Sequence, residues 1–140
     1  MRDRIEVERL IAVAKRIGLH GVEDVEQHPI GCLCADYNGI GPEFFPERLR
    51  RAIDSLAEDL QPAAMIHDFR WSHADGSEDD FNFSNTELEV NFSLIAKSFP
   101  VYHPKRYYLA YVGKKFAYLC RAYGYIPYVL ACKNNKGTEQ

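Results

Sequence analysis

The chain has 140 residues, 46% hydrophobic and 26% charged, a composition that suits one globular domain over 1–140 and excludes a disordered or fibrous chain. The net charge of −3 hides an asymmetry: residues 97–136 hold eight Lys and Arg and no acid, which leaves nine bases against nineteen acids in the first 96 residues. No stretch approaches the roughly 18 apolar residues of a membrane span, and MRDRIEVERLIAVAKRIG interleaves charges with aliphatics where a signal peptide has an apolar run, so a soluble chain, cytoplasmic on synthesis, is expected.

Helical periods dominate from the start. Val7, Leu10, Ile11, Ala14 and Ile17 recur at steps of three and four, Asp3 and Glu6 have capping-box spacing, and Gly18 supplies a stop, which predicts a first helix. After a loop with Pro29, Gly31, Gly39, Gly41 and Pro42, PERLRRAIDSLAEDL opens on Pro46 and lines Leu49, Ile53, Leu56 and Leu60 along one face, a second helix. Pro62 starts a third, running to about Trp71, before the polar segment SHADGSEDDFNFS interrupts the pattern. Ser84 and Glu87 form a capping box for a fourth, with Leu88, Phe92, Ile95 and Phe99 on one face. Leu109, Val112, Phe116, Leu119 and Tyr123 mark a fifth, ending near Gly124, and YIPYVLAC reads as a short strand. The expected fold is mainly α, a single domain of about five helices.

Within the third helix, PAAMIHDFRW sets His67 and Asp68 side by side in an apolar run. Adjacent helical residues diverge by about 100°, so the two address different partners. An imidazole acting as general base needs one nitrogen toward water or substrate and the other held by an acceptor. Glu89, beside Leu88 and Phe92, is placed to be that acceptor, and Asp68 can offer an oxygen to a hard cation. The plainer alternative is a satisfied core histidine beside a solvated or capping acid. Upstream, IGCLCADYNGIGPE combines small residues and glycines, whose backbone freedom lets several carbonyls aim at one Ca²⁺.

GCLCADYNGIG resembles the calcium loop of the phospholipase A2 family, usually written YGCYCGxGGxG, and HDFRW resembles that family's helix motif HDxxY, in the same order along the chain. ELEVNF is similar to the segment where the family places the carboxylate that orients its histidine. The resemblance covers some 60 residues and implies a phospholipase A2-like core with a helix inserted between loop and His-Asp helix. It implies Ca²⁺ held by Asp68 and the main-chain carbonyls of about Leu33, Ala35 and Tyr37, with His67 activating water against the sn-2 ester of a phospholipid and Glu89 orienting the ring. The sequence also departs from the pattern. Ala35 and Tyr37 stand where the family has glycine, Glu89 where it has Asp, Trp71 where it has Tyr, and Ile66 and Arg70 where secreted members have cysteine.

Other constellations compete. Cys32, Cys34, Cys120 and Cys132 could pair or, with His20, His28 or His103, bind zinc, but C-x-C lacks the paired C-x-x-C spacing that marks such sites. Asp75, Glu78, Asp79 and Asp80 read as a solvated acidic loop. Eight of the nine tyrosines fall between Tyr102 and Tyr128, in the acid-free segment. That suits phospholipid or an anionic membrane surface and, as the weaker reading, nucleic acid; alternatively Tyr108, Tyr111, Tyr118 and Tyr123 simply pack the fifth helix against the others. Two functions follow: a Ca²⁺-dependent phospholipid hydrolase, or a non-catalytic phage or virus-particle structural or assembly protein on a lipase-like helical frame. The second has protein partners and a virion-associated location.

Overall fold

The computed structural model describes residues 3–36 and 58–138, and the regular elements among them are all helical. Helix α1 spans Arg4–Ile17: the Asp3 carboxylate accepts from the Ile5 N–H at 2.8 Å, and Gly18, at φ 83°, turns the chain out through an αL cap. Its face of Val7, Leu10 and Ala14 is buried. The loop expected next holds two short helices, α2 (Val22–Glu26) and α3 (Ile30–Asp36). The second expected helix lies outside the described residues except for its end, where Glu58–Leu60 form a 3₁₀ turn.

Helix α4 spans Gln61–Ser72, with Pro62 in the first turn, and is buried almost all round: Ala63, Ala64, Met65, Ile66, His67 and Phe69 are all enclosed. A helix with so little wet face belongs at the centre of a domain, and α1, α2, α3, α5 and α7 all pack against it.

Helix α5 spans Glu78–Lys97, so it starts six residues before the expected Ser84 cap. The cap is Ser77, whose Oγ accepts from the Asp80 N–H at 3.1 Å, while the Asp80 carboxylate accepts from the Asp75 N–H. Of the acids that looked like a loop, Glu78, Asp79 and Asp80 form the first turn of α5, where they complement the unpaired N–H groups and the positive end of the helix dipole, and Asp75 stands just before it. Helix α6 spans Pro104–Tyr123, after a turn capped by His103 Nδ1. It lies along α5 with Gly113 against Phe92, so close that a Cβ on Gly113 would stand 2.9 Å from the Phe92 Cβ.

The segment expected as a strand is helical: α7 spans Tyr125–Thr138. Tyr128 and Cys132, buried and one turn apart, meet Phe81 of α5, which gives the apolar run a helical partner. Pro127 falls in the first turn, where a missing N–H costs no helical hydrogen bond. Among the described residues, no helix is long and apolar enough to cross a membrane.

Candidate functional site

His67 leaves the central helix toward α5. Its Nε2 lies 3.0 Å from Oδ1 of Asn85, an asparagine with no solvent exposure, and its ring packs on Trp71 one turn on, with centroids 4.8 Å apart. Trp71 Nε1 donates to Ser84 Oγ at 3.1 Å, and Ser84 Oγ donates to the Phe81 carbonyl at 2.9 Å. A His–Trp–Ser–Asn group, buried except for the half-buried Trp71, thus joins α4 to α5. Burial pushes the His67 pKa down to about 4, and the Asn85 bond only partly offsets that. The ring is therefore neutral at pH 7, and with Asn85 Oδ1 as acceptor its proton sits on Nε2. Asn85 Nδ2 is buried and has no hydrogen-bond partner among the described residues.

The expected orienting carboxylate is elsewhere. Glu89 lies one turn beyond Asn85, is half-exposed, and pairs with Arg121 of α6. The place assigned to its carboxylate is held by the Asn85 amide. Asn85 was missed although a signal was present: Phe81, Asn85, Leu88, Phe92 and Ile95 repeat at steps of four and three, and all five are buried. A polar residue on such a stripe faces the core and needs a partner there.

Asp68 points away from His67 and acts on Cys120 of α6, whose thiol is pushed up to about 12 by burial first and by the Asp68 charge second. Leu33 is buried in the core, and Leu33 and Ala35 both belong to α3; Tyr37 lies outside the described residues. Carbonyls within a helix run parallel to its axis and do not converge on a point, so the described part of this set forms no carbonyl cradle for Ca²⁺. No group of three or more His, Cys, Asp or Glu among the described residues is placed to hold a metal ion. No disulfide joins the four cysteines; Cys32 is exposed and the others are buried.

A second polar group stands on the same two helices. Arg70 donates from Nε and Nη2 to the two carboxylate oxygens of Glu87, at 2.9 and 3.1 Å, and Nη2 also reaches Asp24 of α2 at 2.9 Å. The Glu87 bond is the largest cause that raises the Arg70 pKa above its ordinary value. Gly21, at φ 89°, makes room for this group: a Cβ there would meet Arg70 Nη2 at 2.9 Å. Beside it opens a cleft of about 350 Å³ lined by Asp24, His28, Phe69, Arg70, His73 and Asp80, with the His28, Phe69 and His73 rings mutually 4.5–4.8 Å apart. Neither His67 nor Asp68 lines it. Farther along α5, Asn91 accepts from the His20 N–H at 2.8 Å and donates to the His20 carbonyl at 3.0 Å, clamping the α1–α2 connection.

The tyrosines divide sharply. Tyr128 is fully buried and its hydroxyl donates to the Ser77 carbonyl, whereas Tyr108, Tyr111, Tyr118 and Tyr123 are exposed, which goes against the alternative in which they pack the helix against the others. Comparison with known proteins adds no relative: no family model matches the chain, nor does any curated protein or solved structure.

Proposed function

We propose that the chain works by binding and not by catalysis, as a structural or assembly protein. One observation carries this reading: the imidazole of the His-Asp pair is enclosed and held by a neutral amide. A general base becomes positively charged as it works, and the best ones have a pKa near the working pH. A buried ring facing Asn85 meets the reverse conditions, since burial disfavours the imidazolium and the amide supplies no charge to offset it. The His67 group then serves as a polar tie between α4 and α5, and the surface chemistry lies on α6 and α7, where Tyr111, Tyr118, Tyr123 and Ile126 are well exposed.

Calcium-dependent hydrolysis of a phospholipid sn-2 ester is the second reading. It is favoured by the tautomer: with Nε2 held, the ring's lone pair lies on Nδ1, the division of roles a general base needs. The melting temperature in Ca²⁺ and in chelator separates the two, because a ligand that binds the folded state raises it by mass action. An unchanged value is expected; a rise of several degrees in Ca²⁺ would show a bound cation and favour the second reading.

A further inference from the structure

Helix α6 is two-sided in an unusual way. Its inner face, Leu109, Gly113, Phe116, Ala117 and Cys120, is buried. Diametrically opposite, Tyr107, Tyr111, Lys114 and Tyr118 follow one another at steps of four, three and four, on a single line. The three tyrosines are 59%, 63% and 64% exposed; Tyr107 is tied at its hydroxyl, which donates to the Val101 carbonyl, while the rings of Tyr111 and Tyr118 stand largely in solvent. Lys115 flanks the line, its Nζ 5.7 Å from the centre of the Tyr111 ring.

We infer that this line of α6 binds single-stranded nucleic acid, with the tyrosine rings stacking on bases and Lys114 and Lys115 meeting phosphates. The inference does not depend on whether His67 is catalytic. Charge selects the class of partner. No acid occurs in residues 97–136, and among the described residues the carboxylates of Glu89 and Asp59 pair with Arg121 and Lys105, so Lys114 and Lys115 add to a face rich in positive charge. The side chains then select among polyanions. A helix face that enters a bilayer carries Leu, Phe or Trp to sink below the headgroups, and this line has none. Tyr111 and Tyr118 on either side of Lys114, with Lys115 beside them, instead match bases flanked by phosphates, and the three rings of the line stand about 6 and 10 Å apart along the axis at 1.5 Å per residue. Base faces are open for stacking only in unpaired strands, so a duplex is the poorer partner.

The test is fluorescence anisotropy of a labelled oligothymidylate of about 12 nucleotides with the whole chain at roughly 50 mM salt. Saturable binding is expected that weakens with salt at a logarithmic slope of about −1.4, from two phosphates at about 0.7 each. Tyr111→Ala with Tyr118→Ala should weaken it about tenfold or more, and Lys114→Glu with Lys115→Glu should remove the salt dependence. All four positions are exposed, so unchanged melting temperatures will show that these variants fold. No saturable binding to the oligonucleotide, binding untouched by the tyrosine substitutions, or binding to phosphatidylserine vesicles in place of the oligonucleotide would each overturn the inference.

Discussion

Acid should destabilise this protein through His67 in a measurable and separable way. The imidazole has its ordinary pKa of 6.5 in the unfolded chain and about 4 in the folded one, because the folded site excludes the water that would solvate its charge. A folded-state value below the unfolded one means that the unfolded chain takes up the proton first. The stability tied to the neutral ring is therefore complete above pH 6.5 and is lost as the pH falls toward 4. At about 1.4 kcal/mol per pH unit, the gap corresponds to roughly 3 kcal/mol, a large share of the 5–15 kcal/mol typical of a domain. Other groups titrate in the same range, so the informative quantity is a difference. Urea unfolding of the wild type and of His67→Gln, which cannot take up a proton there, should be compared from pH 7.5 to 4. The wild type should lose roughly 3 kcal/mol more than the variant. Parallel curves for the two proteins would show that the ring is not enclosed and would refute the reasoning.

Three further outcomes are expected. Gly113→Ala should cost about 1–3 kcal/mol by thermal or denaturant unfolding, since the new methyl meets Phe92 at 2.9 Å across the α5–α6 contact. Glu87→Ala should cost about 2–3 kcal/mol, somewhat below the roughly 3–5 of a fully buried pair, because Arg70 keeps Asp24 and some access to water. Asn85→Asp should raise the His67 pKa, read by NMR titration of the ring protons, because a buried carboxylate at 3 Å favours the imidazolium; a value still near 4 would show that the two side chains do not meet.

Much of the fold was legible because periodicity and capping are local. The first, third and fifth expected helices stand close to their predicted ends, at Arg4–Ile17, Gln61–Ser72 and Pro104–Tyr123. Where local signals competed, tertiary packing decided. Ser77 and Ser84 both offer a cap, and only contact with Tyr128 and Cys132 brings Phe81 into the helix and settles the choice. YIPYVLAC is ambiguous between strand and helix until Phe81 and Trp71 supply a partner for one side. The site was half legible. That His67 needs an acceptor on the following helix followed from the chemistry of a buried imidazole; which residue supplies it did not, because Asn85 and Glu89 are one turn apart and only the axial offset of α4 and α5 separates them. The exposure of the α6 tyrosines was hidden for a different reason. Tyrosine suits a core and a surface equally, so composition alone does not place its ring.

The central claim is that His67 is a structural tie and not a base. Its most direct test is the release of fatty acid from mixed phospholipid vesicles, measured with Ca²⁺, with chelator, and with His67→Ala as background. No release above that background is expected from folded protein under either condition. Release that requires both Ca²⁺ and His67 would contradict the claim and establish the hydrolase.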